Sequence, residues 1–315
     1  MTLSIGVDVG GTKIAAGLVD SSGHIVMMLR RPTIPNDSQS VRDTIIDLCR
    51  QLQQENEVEA VGIGAAGFVD SSGSTVIFAP NVSWRNEPIA EQVSQAIDMP
   101  VVVENDANAA AWAEYRFGAA AGFSSAVVVT VGTGIGGGII LNGELLRGSY
   151  GFAGEIGHIN MVRDGRECGC GQRGCWEVYS SGRALLAAAQ EQARTCPEIA
   201  AGLLRLADGD PQAITGLMVT QAAQEGCCGA RNAFAEIGYW LGQGMADVAA
   251  LLDPDVFVLA GGVCEAGDLL LEPTRQSFTE LLTGRAYRPL PPIRVATLGN
   301  QAGIIGAADL ARRAA

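Results

Sequence analysis

The chain has only two histidines, His24 and His158, and 21 basic residues against 34 acidic ones, a net charge of −13 over 315 residues. So few cations argue against a direct nucleic-acid partner, whose phosphates reward clustered Lys and Arg. An anionic substrate stays compatible with this balance, because backbone amides can hold phosphate inside an acidic protein. No apolar run approaches the ~18 to 20 residues that cross a bilayer, so no membrane partner is expected. The opening MTLSIGVDVGG has no basic segment and no small-residue cleavage site. It reads as a first strand rather than a signal peptide. A cytoplasmic protein is expected, its eight cysteines thiols or thiolates rather than disulfides. Two nucleotide signatures are also missing. No G-K-[ST] occurs, and GTGIGG at 132–137, which satisfies G-x-G-x-x-G, runs on into a strand instead of opening a helix.

Glycine is abundant, at 41 residues, and it organises the pattern. LSIGVDVGG and KIAAGLVDSSGHIVMML read as paired strands turned by Ser-Ser-Gly. Residues 41–54 have helical spacing, AVGIGAAGF and MPVVVEND are short buried strands, and ANAAAWAEYRFG is a helix stopped by Gly118. Further helices are expected after Ser181, near 230–251 and over AGIIGAADLARR, with a strand at DVFVLAGG. Short apolar strands separated by helices indicate an α/β fold with a mixed sheet. VDVGGTKIAAGLVD (7–20) and VTVGTGIGGGIILN (129–142) superimpose with Gly10 on Gly132, Asp8 on Thr130 and Leu18 on Ile140. Each is a strand, a tight glycine turn and a strand, which suggests a duplicated fold of two similar halves around a cleft; chance similarity of glycine-rich hairpins is the alternative. The length also suits two domains. We expect residues 1–110 plus 299–315 in one and 111–298 in the other.

Glycine turns of this kind can present backbone N–H groups to a polyphosphate. Asp8, at the end of the first strand, is placed to hold Mg²⁺ through water, and Thr12 and Thr133 can donate hydroxyls to phosphate. LAGGV at 259–263 ends another strand in glycines that can accept a flat adenine. In VVVENDANAAAW, Asn105 and Asp106 fall where a buried strand meets a helix. Asp106 at that point is either an N-cap or, inside a cleft, a general base for a substrate hydroxyl. The latter fits phosphoryl transfer to an alcohol.

GHINMVRDGRECGCGQRGCWE (157–177) concentrates one of the two histidines and three cysteines. His158, Cys168, Cys170 and Cys175 form a Cys₃His set suited to tetrahedral Zn²⁺, and with four protein ligands such a site is structural. The redox alternative is absent, since there is no C-x-x-C beside a βαβ unit. Cys49, Cys196, Cys227, Cys228 and Cys264 show no ligand spacing and read as packing residues. Glu155 and Glu177 flank the ligands and can accept sugar hydroxyls. One ring nitrogen of His158 can bind the metal while the other faces substrate.

With DVGGTK (8–13), ENDAN (104–108), TVGTGIGGG (130–138), GEIGH (154–158) and CGCGQRGCWE (168–177), the chain resembles the ROK family of sugar kinases and repressors, within the actin-like ATPase (ribonuclease H-like) superfamily. GIGAAGFVD, FAPNVSWR and NDANAAAWAEYRFG are similar to the bacterial glucokinases of that family. The resemblance covers nearly the whole chain and implies two domains flanking a cleft, a zinc loop over 158–175, and ATP-dependent phosphorylation of the 6-hydroxyl of glucose. It implies Asp106 as base, with Asn105, Glu155, His158 and Glu177 on the sugar and Gly67 and Asn81 beside it. It places phosphate on Gly10, Gly11, Thr12, Lys13, Thr133 and Gly134, and adenosine near Gly261 and Gly262. Other hexoses or N-acetylhexosamines as acceptor, and polyphosphate as donor, are alternatives. A repressor is a second class; its helix-turn-helix domain is not expected here, because the motif's aspartate is already residue 8. The positive mean hydropathy, +0.20, leans toward a homodimer or homotetramer.

Overall fold

The computed structural model describes residues 2–34 and 37–315. Strands β1 (Leu3–Val9), β2 (Lys13–Asp20) and β3 (Ile25–Pro32) lead into helix α1 (Ser38–Gln53) and strand β4 (Val58–Ala65). Short strands β5 (Phe68–Val69), β6 (Val76–Ala79) and β7 (Trp84–Glu87) form a separate three-stranded antiparallel meander. Then come α2 (Ile89–Ile97), β8 (Val101–Asn105), α3 (Asp106–Phe117), β9 (Ala126–Val131), β10 (Ile135–Leu141) and β11 (Glu144–Leu145). The remainder is mostly helical: α4 (Glu177–Ser180), α5 (Gly182–Thr195), α6 (Ala201–Leu206), α7 (Gly216–Gln224) and α8 (Cys228–Leu252), then β12 (Val256–Ala260), α9 (Asp268–Leu281), β13 (Ile293–Val295) and α10 (Ala302–Ala314).

The first sheet runs β3-β2-β1-β4-β8 and the second β11-β10-β9-β12-β13, the same order strand for strand. In the first, β1 pairs antiparallel with β2 and parallel with β4, so the sheet is mixed as expected. The two segments that superimpose in sequence are β1–turn–β2 and β9–turn–β10. Helix α1 starts at Ser38, ahead of the apolar periodicity, because the Asp37 carboxylate accepts from the Ser40 amide at 2.9 Å. Gly118 caps α3, and a Cβ there would strike the Glu114 carboxylate.

The chain forms two compact units, Met1–Val128 with Gly137–Gly154 and Ala296–Ala315, and Val129–Gly136 with Glu155–Val295. The core of the first unit is aliphatic, from Ile5, Val7, Ile45, Leu48, Val61 and Ile63 around the fully buried Trp84. Its last helix, α10, lies on the sheet at backbone distance. A Cβ on Gly6 would fall on the Ile304 carbonyl, one on Gly62 on that of Ala307, and one on Gly306 on that of Ala109 in α3. Only glycine permits such approach. Asp309, buried in α10, accepts from Trp112 Nε1 at 2.9 Å and Arg116 Nε at 3.1 Å, which ties α10 to α3. In the second unit, the long α8 packs on α9 through glycines: Gly238 faces Pro273, and Gly242 the backbone of Thr274.

Candidate active site

In the first unit, parallel pairing sets Asp8 beside Gly64 and Gly64 beside Glu104, with Ala65 beside Asn105. Strands β1 and β8, with β4 between them, therefore bring Asp8, Asn105 and Asp106 to the same end of the sheet. Gly64 lies close beneath the junction, since a Cβ there would stand 3.9 Å from the Asp106 Cα. Asp106 is the first residue of α3, and the cap is its neighbour: Asn105 Oδ1 accepts from the Asn108 amide at 3.0 Å. The capping role considered for Asp106 thus belongs to Asn105, whose extended backbone leaves it free to cap. The Asp106 carboxylate accepts from the Ala107 amide, at 2.9 Å. Burial raises its pKa, with that hydrogen bond pulling the other way. Asp8 is pushed up to about 6, first by burial and then by the Asp106 carboxylate, against the pull of Lys13.

Asn105 Nδ2 donates to the Gly67 carbonyl at 3.1 Å, which fixes the side chain toward the start of the meander. Gly67 is itself required, because a Cβ would meet the Phe78 carbonyl. Asn81 is exposed on a single 3₁₀ turn, Pro80–Val82, and a Cβ on Gly11 would sit 3.4 Å from its Cβ. The Gly10–Lys13 turn closes through Gly10 N to Lys13 O at 3.0 Å, and Thr33 braces it by bonds to the Gly10 and Thr12 carbonyls. Thr12 and Lys13 are left exposed.

The second unit holds the remaining candidates. The corresponding turn closes through Gly132 N to Gly134 O at 3.0 Å. Thr133 is exposed, and its carbonyl accepts from Arg183 Nε at 3.0 Å. Beneath the turn lies Glu177, 8% exposed: Oε2 accepts from the Ile135 amide at 3.3 Å and Oε1 from the Cys168 thiol at 3.2 Å. Gly261 takes φ 92° against the Val131 backbone, while Gly262 faces open space.

His158 closes a one-turn helix, Ile156–His158, and presents Nδ1 to Cys168 Sγ at 3.6 Å and Nε2 to Glu155 Oε2 at 3.9 Å. Cys170 and Cys175 stand 3.7 Å apart, and the donor atoms of His158, Cys168, Cys170 and Cys175 all lie within 4.8 Å of one another. Zn–S bonds of about 2.3 Å at tetrahedral angles require sulfurs about 3.8 Å apart, so the donor set fits. The knuckle is shaped by Cys168 N to Gln172 O, by Gly174 N to Arg166 O, and by Gly171 and Gly174 at φ 90° and 80°. Among the other cysteines, Cys49 and Cys264 are buried packing residues. Cys196 and Cys228 are exposed and Cys227 half-buried at helix ends, so core packing does not account for these three.

Two residues of the first unit were not marked by spacing. Glu104, 5% exposed, accepts from the Asn105 amide and from Asn108 Nδ2, both at 3.0 Å, and from Arg147 Nε at 2.6 Å. Glu104 stands within the ENDAN segment; Arg147 carries no sequence signal.

Mixed sheets with a repeated strand order, glycine turns and an Asn-Asp pair at a strand end make up the fold of the ROK sugar kinases. The chain belongs to the ROK family, with which it matches over residues 4–314. It is 50% identical over 312 residues to a glucokinase of Streptomyces coelicolor, covering 99% of this chain and 98% of that one. It also resembles a ROK family glucokinase from Streptomyces griseus solved with glucose and AMPPNP, at 50% identity, TM-score 0.86 and 99% coverage of both chains. A ROK hexokinase from Thermus thermophilus is 33% identical with TM-score 0.82, over 99% of this chain and 98% of that one. Among the described residues, no helix is long and apolar enough to cross a membrane.

Proposed function

We propose that this chain is a glucokinase, transferring the γ-phosphoryl group of ATP to the 6-hydroxyl of glucose to give glucose 6-phosphate and ADP. The observation that carries the reading is the Asn105–Asp106 pair at the β8–α3 junction, in a chain half identical to a glucokinase from end to end. The S. griseus relative binds glucose together with AMPPNP, which supports the same pair of substrates here. Asp106, as base, takes the proton of the 6-hydroxyl while that oxygen bonds to the γ-phosphorus and the bond to the ADP oxygen breaks. One carboxylate suffices, because a loose phosphoryl transition state is stabilised chiefly by positioning and charge.

The other roles follow on the same reading. Asn105, Glu155, His158 and Glu177 hold sugar hydroxyls, with Gly67 and Asn81 beside them. Gly10 to Lys13, Thr133 and Gly134 take the phosphates, Gly261 and Gly262 the adenosine, and Asp8 holds Mg²⁺ through water. Zinc is assigned to His158, Cys168, Cys170 and Cys175 as a structural clamp, a fit supported by their donor spacing. As a metal-bound thiolate, Cys168 has no proton to give Glu177, which leaves that Oε1 for a sugar hydroxyl. The repeated strand order supports an actin-like ATPase duplication, with 1–110 plus 299–315 and 111–298 as its domains. A cytoplasmic homodimer or homotetramer without direct nucleic-acid contact completes the proposal.

A coupled ADP-release assay over hexoses and N-acetylhexosamines, with ATP and polyphosphate as donors, tests it. Glucose with ATP should give the highest kcat/KM; preference for an N-acetylhexosamine, or turnover with polyphosphate alone, would replace it.

A further inference from the structure

We propose that Glu104 and Arg147 are positioning residues that set the β8–α3 junction, and through it the Asp106 carboxylate, and that Arg147 acts as the counter-charge that holds the buried Glu104 carboxylate in place as an acceptor. A single carboxylate oxygen, Glu104 Oε1, accepts both from the amide of Asn105 and from the side chain of Asn108. These are the cap of α3 and the residue whose amide that cap accepts. Asp106 sits between them on a helical turn stitched from both sides. Its own carboxylate accepts from the Ala107 amide and from its own backbone amide, both on that turn, so its direction depends on the turn.

Glu104 is buried, and a buried carboxylate needs a counter-charge as well as hydrogen bonds. Arg147 supplies it at 2.6 Å, from a side chain 38% exposed. The loop carrying Arg147 is itself fixed. Leu146 N donates to Ile139 O at 2.8 Å and Ala153 N to Arg147 O at 3.0 Å. At its far end Gly154, with φ 97°, lies against α3: a Cβ there would stand 3.5 Å from Asn108 Oδ1, a buried oxygen that no donor meets. The guanidinium is thus held where Glu104 needs it, and the contact bridges 43 positions of sequence.

The functional part of this inference rests on Asp106 being the base; the geometric part does not, and two readouts separate them. Arg147→Met should raise amide exchange over residues 105–108. With glucose and ATP it should lower kcat by about tenfold to a hundredfold, the scale for misplacing a catalytic group by about an ångström, with the KM for ATP essentially unchanged. Glu104→Gln in that background keeps an acceptor oxygen and removes the charge, so the double variant should recover most of both losses. If Arg147→Met does not yield folded protein, Arg147→Lys with and without Glu104→Gln gives the same comparison. Unchanged exchange at 105–108, or a double variant no better than the single, overturns the proposal. A wild-type chain that does not phosphorylate glucose overturns the functional reading instead and leaves the exchange comparison to decide this one.

Discussion

Replacing Asp8 with asparagine should stabilise the protein while disabling it. Asp8 is held at about 6 against a usual 3.8, chiefly by burial and next by the Asp106 carboxylate. A raised carboxyl pKa means that the folded state binds the proton more tightly than the unfolded chain. Ionising Asp8 therefore costs stability as pH rises, and the cost is complete above the folded value. At 1.36 kcal/mol per pH unit, the rise from 3.8 to about 6 makes it about 3 kcal/mol at pH 7. It shrinks to about half at pH 5 and to roughly 0.5 kcal/mol at pH 4, where Asp8 is protonated when folded and about two-fifths protonated when unfolded. The asparagine side chain has the same shape and no charge, so Asp8→Asn should gain the full amount at pH 7 and only a small part of it at pH 4. Urea unfolding with divalent ions chelated and nucleotide absent measures it, with buried Trp84 and Trp112 in the same unit as reporters. On the proposed role of Asp8 in holding Mg²⁺ through water, the same variant should lose turnover by about a hundredfold or more, since the ion that offsets charge at the phosphates would be held less well. A variant no more stable than wild type at pH 7, or equally stabilised at pH 4, would refute the assignment of the cost to Asp8 ionisation.

Asp106→Asn should lower kcat by about 10² to 10⁴-fold with glucose affinity by calorimetry retained, because the base is lost and the shape is not. Near-normal turnover would remove Asp106 from that role. Cys170→Ala should lower the zinc content measured by elemental analysis and weaken glucose binding together, since three ligands no longer close the site; full metal with unchanged affinity contradicts the clamp. Glu114→Ala should cost about 1 to 3 kcal/mol in urea unfolding. The buried carboxylate accepts from the buried Ala119 amide at 2.8 Å and from the part-buried amides of Thr297 and Leu298 at 2.9 and 2.8 Å, and a buried donor left without an acceptor costs about that much. A loss below about 1 kcal/mol would mean that water replaces the carboxylate.

What could be read in the chain beforehand was whatever short-range chemistry enforces. The two glycine turns were visible because tight hairpins that present backbone amides tolerate little else, and the same order of strands then appears in both sheets. The Cys₃His set was visible because a Cys-x-Cys knuckle carries its own spacing, and its donor atoms do converge. Asp106 was visible at a strand–helix junction, but which of Asn105 and Asp106 caps the helix was not, since that depends on backbone angles at one residue. The short β5–β7 meander left no apolar alternation long enough to read, although Gly67, just ahead of it, supplies the carbonyl that orients Asn105. Least legible were partners far apart in sequence. Glu177 reads as a residue beside the metal ligands, yet it also supports the Thr133–Ile135 turn, 42 positions away. Glu104 reads as the last buried position of a strand, and nothing in its neighbourhood announces Arg147. Local pattern thus indicates which groups are candidates to meet the substrates, whereas the partners that hold those groups emerge only once the strands are in register.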